Sequence, residues 1–287
     1  MTTTLITVSD LAARLAAGQA SQGKLRVFDL RHDLMDHCAG RRAYGEGHIP
    51  AARFLDHETE LSAPRTGKNG RHPLPAPEHL AGLMAAHGVA PDTLVVAYDA
   101  SGGQYAAHLW WMLRWIGHEK VAVLDGGWPA WAADGQAVQG GPAQSLAPLP
   151  GVQPAACLAD SVDAAGVLAN IDEQVFVVVD ARAANRYRGE VEPMDPVAGH
   201  IPGALNRPNT QNVDADGRFK PPEQLRAEFE ALLGGRTPQE VVHQCGSGIT
   251  ASHNLLAMEI AGLAGSRLYP GSWSEWCSDP ARPVAKG

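Results

Sequence analysis

The sequence lacks every feature that would direct it to a membrane or a nucleic acid. It has no apolar run approaching the roughly 18 residues of a transmembrane helix, and its start carries neither the basic segment nor the apolar core of a secretory signal. Its 23 lysines and arginines are outnumbered by 31 aspartates and glutamates, which gives a formal charge of −8 at pH 7. Because nucleic acids and anionic membranes attract basic surfaces, we expect neither as a partner and predict a cytoplasmic protein.

Paired cysteines are also absent. The four cysteines are Cys38, Cys157, Cys245 and Cys277, and no two of them form a CxxC motif. The chain has 12 histidines but no HExxH motif. A disulfide framework is uncommon in a chain of this length without secretory features. We therefore predict no metal site and no disulfide, and each cysteine has to be interpreted on its own.

The chain contains an internal repeat. A W-x-x-W motif occurs at Trp128–Trp131 and again at Trp273–Trp276, at an offset of 145 residues. A GHIP motif opens both Gly47–Ala52 and Gly199–Ala204. With 45% hydrophobic and 19% charged residues, the chain can fill two modest cores. The repeat therefore predicts two homologous domains of about 130 residues each, an ordinary domain size.

The boundary between the two domains is visible in the composition. Residues 136–154 contain glycines and prolines, among them Gly140-Gly141-Pro142, and no charged residue. Such a composition is typical of a semi-extended linker. We predict a first domain over residues 5–135, a linker over 136–157 and a second domain over 158–284.

Strand and helix signals alternate in each half. Continuous apolar runs are typical of strands buried on both faces, and amphipathic or apolar segments of ten or more residues are typical of helices. This alternation predicts the α/β class, with a mainly parallel sheet in each domain and helices on both faces. Ligands bind such folds beyond the carboxyl ends of the strands. The predicted strands are Leu25–Leu30, Leu94–Tyr98, Val121–Leu124, Gln174–Val179, Val241–Gln244 and Arg267–Tyr269, and the helices are Pro77–His87, Gln104–Gly117, Pro222–Gly234 and Ile249–Leu263.

Cys245 lies at such a carboxyl end. It follows the strand Val241–Gln244 and opens the loop Cys245-Gly-Ser-Gly-Ile-Thr250, which leads into a helix. Two glycines let the loop wind so that its N–H groups face inward around the sulfur, next to a helix N-terminus. Such a site stabilises a thiolate and favours a nucleophile over a buried structural cysteine. The corresponding loop of the first domain, Tyr98–Gly103, has Asp99 in place of the cysteine.

Together these motifs resemble the tandem-domain rhodanese sulfurtransferases. The match includes the Asp loop first, the CGSGIT loop second, both GHIP motifs and Leu124–Trp128. The loop is most similar to that of the 3-mercaptopyruvate sulfurtransferases, because thiosulfate-preferring members usually carry basic residues after the cysteine. The resemblance implies that Cys245 takes a sulfur atom from a small-molecule donor as a persulfide and passes it to a thiol, thioredoxin or cyanide. It implies no cofactor, since the cysteine itself carries the sulfur.

The resemblance also implies which residues bind the donor. Arg186 falls on the first of two substrate arginines of the family, and a guanidinium suits a carboxylate. The second family arginine is replaced here by Met194, and Arg188 is a candidate substitute. The loop residues Gly246, Gly248, Ile249 and Thr250 complete the predicted binding site.

A proton-handling group is implied as well. Ser247 matches the loop serine of the family, and His72 matches a histidine contributed by the first domain. Glu58 falls where the family commonly has aspartate. Such a relay would supply the proton that a departing enolate needs.

Three other functions are weighed against this one. The nearest is a thiosulfate sulfurtransferase of the same architecture. A cysteine phosphatase needs a longer loop that ends in an arginine, whereas the sixth residue after Cys245 is Ala251. The third is a non-catalytic sulfur carrier or interaction module with a vestigial loop, and the presence of Cys245, both loop glycines and Ser247 argues against it.

Overall fold

The computed structural model describes residues 4–142 and 154–287, which divide into two compact units. The described residues within Met1–Ser62, Pro75–Leu158 and Ala215–Phe219 form the first unit, and those within Ala63–Leu74, Ala159–Asp214 and Lys220–Gly287 form the second. Segment 63–74, which belongs to the predicted first domain, therefore packs within the second unit. Of the predicted linker, residues 143–153 lie outside the described residues.

The first unit contains a five-stranded parallel sheet in the order β1-β5-β4-β2-β3. Its central strands Leu94–Tyr98 and Val121–Leu124 are almost fully buried, as their continuous apolar sequences require. The strands are β1 Leu5–Ile6, β2 Leu25–Asp29, β3 Ala52–Phe54, β4 Leu94–Tyr98 and β5 Val121–Leu124.

Helices cover both faces of this sheet. One face packs against Leu11 of the first helix and Trp131 of the fifth, in a core that includes Val27 and Val96. The long apolar fourth helix contacts β4 and β5 through other residues. The helices are α1 Val8–Ala16, α2 Ala39–Glu46, α3 Pro77–Ala86, α4 Gln104–Trp115 and α5 Gly127–Ala133.

The second unit repeats this plan with a four-stranded parallel sheet in the order β7-β6-β8-β9. A single parallel bridge between Ser161 and Leu268 stands where the first unit has β1. The strands are β6 Val177–Asp180, β7 Leu205–Asn206, β8 Val241–Gln244 and β9 Arg267–Leu268, and the helices are α6 Ala164–Glu173, α7 Ala184–Tyr187, α8 Pro222–Leu233, α9 Ile249–Ile260 and α10 Ser272–Trp276.

Helices again lie on both faces. Val167 of α6 and Trp273 and Trp276 of α10 pack on one face of the sheet, and α9 contacts β8, β9 and α8. The predicted α/β class with two parallel sheets is confirmed. No helix in the described part of the chain is long and apolar enough to cross a membrane.

Candidate active site

Cys245 lies directly after β8, at the carboxyl edge of the second sheet. Its side chain is only 2% exposed. The backbone on both sides of the sulfur is fixed by α10: the Cys245 N–H donates to Ser272 Oγ at 3.1 Å, and the Cys245 carbonyl accepts the Trp273 N–H at 2.9 Å. These two hydrogen bonds therefore fix the backbone from which the Cys245 side chain projects.

The loop after Cys245 needs glycine at position 248. Gly248 has a φ of +87°, and a Cβ there would lie 2.7 Å from the Pro270 carbonyl oxygen. This left-handed turn lets α9 begin immediately at Ile249. Only three residues thus separate Cys245 from the start of α9.

One backbone N–H group contacts the sulfur, and others in the loop have no acceptor in the described part of the chain. The Ser247 N–H donates to Cys245 Sγ at 3.5 Å. The N–H groups of Gly248, Thr250 and Ala251 have no acceptor among residues 4–142 and 154–287. The first N–H groups of a helix attract negative charge, so this site is suited to an anion.

The first unit shows what such a loop binds. There the buried carboxylate of Asp99 stands at the equivalent place, and its two oxygens accept four backbone N–H groups at 2.7–3.0 Å. The donors are Ser101, Gly103, Tyr105 and Ala106. Burial raises the pKa of Asp99, while these hydrogen bonds oppose the rise. One loop therefore contains its own anion, and the other contains a cysteine.

Comparison with known proteins agrees with this arrangement. The Rhodanese-like domain family matches residues 7–134 and 163–279. The chain belongs to the rhodanese family. The predicted resemblance is thereby confirmed.

Two relatives and one solved structure extend over nearly the whole chain. A Pseudomonas aeruginosa protein named "Probable 3-mercaptopyruvate sulfurtransferase" is 51% identical over 287 residues, covering 99% of this chain and 98% of its own. The thiosulfate sulfurtransferase of Bos taurus is 34% identical over 280 residues, covering 95% and 91%. The crystal structure of the 3-mercaptopyruvate sulfurtransferase SseA from Escherichia coli matches with a TM-score of 0.78 at 32% identity, covering 95% of this chain and 99% of that one.

In this second rhodanese-like unit, Ser247 and His72 are brought together. His72 Nδ1 lies 2.8 Å from Ser247 Oγ, and both side chains are buried. His72 belongs to segment 63–74, so the histidine reaches the serine within one compact unit. The predicted pairing thus has a direct hydrogen bond.

Glu58 belongs to the first rhodanese-like unit. Its Oε1 lies 3.6 Å from His32 Nε2 and 3.5 Å from His37 Nδ1. Ligand-type atoms of these three residues all lie within 4.8 Å of one another, so the group could hold a metal ion. The prediction of no metal site rests on the absence of metal-binding sequence motifs, and these three residues are spread over positions 32–58. The role of Glu58 in proton transfer stays a prediction.

The predicted arginines occupy different environments. Arg186 pairs with the buried Glu192 at 2.6 Å and lies 3.4 Å from Asp195. Burial raises the pKa of Glu192, but hydrogen bonds from Arg186 and from backbone N–H groups outweigh it and lower that pKa. Arg188 is largely exposed and pairs with Glu190 at 2.7 Å. Among the described residues, no hydrogen bond or ion pair joins Arg188 to the cysteine loop.

Three residues of the site were not predicted from the sequence. Ser272, with a φ of +54°, links the Cys245 N–H to the Tyr269 carbonyl through its hydroxyl group. Arg71 and Asp195 form an ion pair beside the loop. The sequence did contain a signal for Ser272, because the 145-residue offset of the repeat aligns it with Gly127, and both residues have a φ of +54° in the structure.

Proposed function

We propose that this protein is a sulfurtransferase that moves a sulfur atom from 3-mercaptopyruvate to a thiol, thioredoxin or cyanide through a persulfide on Cys245. Thiosulfate is the second donor. The proposal is supported by relatives and a solved structure that are named for these activities. It makes the chain an enzyme whose substrates are small anions.

One observation carries the proposal: the two equivalent loops differ in what fills them. In the first unit, the Asp99 side chain provides acceptors for four backbone N–H groups. In the second unit, Cys245 provides a thiol, and the N–H groups of Gly248, Thr250 and Ala251 have no acceptor in the described part of the chain. A negatively charged persulfide sulfur on Cys245 would give those N–H groups the anion that Asp99 gives their counterparts.

With mercaptopyruvate, the Cys245 thiolate attacks the donor sulfur. An S–S bond forms and the bond between sulfur and C3 of the donor breaks, so its electron pair remains on the carbon as an enolate. The proton lost by the donor thiol is returned to that carbon, and pyruvate leaves. The net products are the Cys245 persulfide anion and pyruvate, with atoms and charge balanced.

With thiosulfate, the same thiolate attacks the outer sulfur and sulfite leaves with the electron pair of the S–S bond. In the second half-reaction, the thiolate of an acceptor or cyanide attacks the terminal sulfur of the persulfide. The Cys245 thiolate is released and ready for a new cycle.

Ser247 and His72 are assigned the proton transfer. The Ser247 N–H faces the sulfur and its hydroxyl group lies 2.8 Å from His72 Nδ1. A serine alone is a weak acid, but a histidine behind it can supply and recover the proton at neutral pH. Only the mercaptopyruvate reaction has a carbon leaving group, the enolate of pyruvate, that needs this proton, because sulfite is a stable anion.

The proposed function is tested by comparing the two donors. Residues 246–250 carry no charge, so a thiosulfate dianion meets only N–H groups there, whereas the mercaptopyruvate carboxylate can also reach Arg186. We expect kcat/KM for mercaptopyruvate to exceed that for thiosulfate about tenfold, which corresponds to about 1.4 kcal/mol of transition-state stabilisation. Steady-state release of pyruvate and of sulfite measures the two rates. A larger kcat/KM for thiosulfate makes the chain a thiosulfate sulfurtransferase, and no turnover with either donor favours a sulfur carrier.

The relay is tested with His72→Ala. We expect kcat with mercaptopyruvate to fall about 10²-fold, while turnover of thiosulfate changes less than threefold. His79→Ala is the matched control, because His79 is an exposed histidine on α3. An equal loss with both donors would assign His72 a structural role, and no loss would remove it from the mechanism.

A further inference from the structure

Two histidines and one glutamate lie together in the first unit. Glu58 Oε1 is 3.6 Å from His32 Nε2 and 3.5 Å from His37 Nδ1, and one ligand-type atom of each residue lies within 4.8 Å of the other two. Two imidazole rings and a carboxylate form a ligand set that holds Zn²⁺ in proteins and leaves one position open. We propose that His32, His37 and Glu58 form a Zn²⁺ site. No step of the proposed sulfur transfer requires this site.

The three residues follow two neighbouring strands of the first sheet. β2 and β3 are parallel and end at the same edge, with Asp29 opposite Phe54. His32 comes three residues after the end of β2, and Glu58 comes four residues after the end of β3. Ligands of α/β folds bind beyond the carboxyl ends of the parallel strands. The cluster therefore occupies the edge of the sheet at which this class of fold places its ligands.

The loop that carries both histidines is folded back by two aspartate side chains. Asp33 Oδ1 accepts the N–H groups of Met35 at 2.7 Å and of Asp36 at 3.2 Å. Asp36 Oδ1 accepts the Cys38 N–H at 3.1 Å. Turns in which an aspartate binds backbone N–H groups two or three residues further on fix a loop locally. Within this loop the two imidazole rings lie 5.7 Å apart, measured between their centroids.

The glutamate is held by a turn of its own. Asp56 Oδ1 accepts the N–H groups of Glu58 at 2.9 Å and of Thr59 at 3.2 Å. Glu60 Oε2 accepts the Asp56 N–H at 2.8 Å. The backbone that presents the Glu58 carboxylate is thus ordered by hydrogen bonds that do not involve this carboxylate. A site built on ordered backbone loses little conformational entropy when its ligand binds.

The separations of the ligand atoms are near those of a zinc site. Bonds of about 2.0–2.2 Å in a tetrahedron place neighbouring ligand atoms about 3.4 Å apart. The two separations from Glu58 Oε1, 3.5 and 3.6 Å, are close to this value. The third separation, between the two histidines, would be shortened by a rotation of His37, whose side chain is 55% exposed. His32 and Glu58 are 3% and 15% exposed, so two ligands are held by their surroundings and the third closes over the ion.

The surrounding charges favour a cation. Burial raises the pKa of Tyr105. The negative charges of Asp99, Asp33 and Glu58 raise it further. The Tyr105 ring packs edge-on against the His32 ring, with 5.2 Å between the centroids, so its phenol senses the potential beside the proposed ligands. A negative potential that opposes the formation of a phenolate attracts a metal ion.

The ligand atoms also select the class of metal. Mg²⁺ and Ca²⁺ prefer sites built from oxygen atoms, whereas imidazole nitrogens suit zinc and the neighbouring transition metals. Among the residues that the structure describes, this is the one group of three His, Cys, Asp or Glu side chains close enough together to hold an ion. We therefore expect one Zn²⁺ per chain.

The first test measures Zn²⁺ binding by titration calorimetry. The full-length Cys245→Ser variant is used, because a cysteine thiolate also binds zinc. His37→Ala removes an exposed ligand and Glu58→Gln keeps the size of the side chain, and we expect each to weaken binding at least tenfold. His79→Ala removes an exposed histidine of α3 as a matched control, and its affinity should stay within twofold. An unchanged affinity in either ligand variant overturns the proposal.

The second test uses Co²⁺ to identify the atoms that bind the ion. Co²⁺ takes nitrogen and oxygen ligands in the same geometry, with intense visible bands when four-coordinate, and a thiolate ligand adds a band in the near ultraviolet. In Cys245→Ser we expect the visible bands without the sulfur band, and we expect His37→Ala to remove them. A sulfur band would place the ion on a cysteine such as Cys38, the neighbour of His37, and would overturn the proposal.

The third test follows thermal unfolding. An ion that binds only the folded protein raises its Tm. We expect excess Zn²⁺ to raise the Tm of Cys245→Ser by a few degrees, EDTA to reverse this shift, and His37→Ala to remove it. If the shift persists without His37, zinc acts through other residues and the proposal is wrong. None of these three measurements requires turnover, so a failure of the proposed sulfur transfer leaves the zinc site still testable.

Discussion

Cys245→Ser is expected to abolish sulfur transfer from either donor, with a fall in kcat of at least about 10⁴-fold. A serine hydroxyl is not ionised at neutral pH and cannot form the S–S bond of a persulfide. The fold should not change, since position 245 is fixed by hydrogen bonds of its N–H and carbonyl groups, and the two side chains are of similar size. A loss of turnover without a loss of structure would then be caused by the missing sulfur atom alone.

Mass spectrometry makes this prediction specific. Incubation of the wild-type protein with a donor should add one sulfur, about 32 Da, to the peptide that contains Cys245. Serine variants of Cys38, Cys157 and Cys277 should keep the added mass and the turnover. Burial raises the pKa of Cys277 to about 11, so its thiol stays protonated at neutral pH and is a poor nucleophile. A persulfide on another cysteine, or turnover by Cys245→Ser, would contradict the assignment.

The architecture could be predicted because short sequence patterns, such as apolar runs, indicate most of its longer strands and helices. Strands β4, β5 and β8 have the predicted bounds: β4 and β5 are short apolar runs between polar residues, and β8 begins with two valines directly after the polar Glu240. The shorter elements β1, β3 and β7 were not predicted. Each has only two or three residues, too few for a hydrophobic period to be read. Their places are set by pairing with longer strands.

The site could be predicted in part for a related reason. Cys245, Ser247 and the loop glycines follow one another in sequence, so a single strand and helix position them. Arg71 and Asp195 are 124 residues apart and form an ion pair in a region where the Arg71 N–H also donates to Ser274 of α10. Contacts of this kind depend on tertiary packing and leave no periodic signal in the chain.

The first loop allows the same physical argument to be tested through stability. Asp99 is completely buried, and its Oδ1 and Oδ2 each accept two backbone N–H groups. Asp99→Ala leaves all four without an acceptor. Because a buried unpaired polar group costs about 1–3 kcal/mol and water can relieve part of that cost, we expect the free energy of unfolding to fall by about 3–5 kcal/mol.

Asp99→Asn separates hydrogen bonding from charge. Its carboxamide keeps one oxygen, but the NH₂ group faces two N–H donors, so we expect about half the loss seen with alanine.

The stability that Asp99 contributes also depends on pH. Because burial raises the pKa of Asp99 in the folded protein, protonation favours folding. The stability that protonation adds is fully present below the unfolded pKa and is lost as the pH rises through the folded pKa. The stability gap between wild type and Asp99→Asn should therefore widen as the pH is lowered through that window. Urea unfolding at several pH values measures both effects, with the exposed Asp92→Ala as a control expected to stay within about 0.5 kcal/mol of wild type. If Asp99→Ala is no more destabilising than this control, the inward N–H groups do not matter energetically, and the same argument for an anion at Cys245 loses its support.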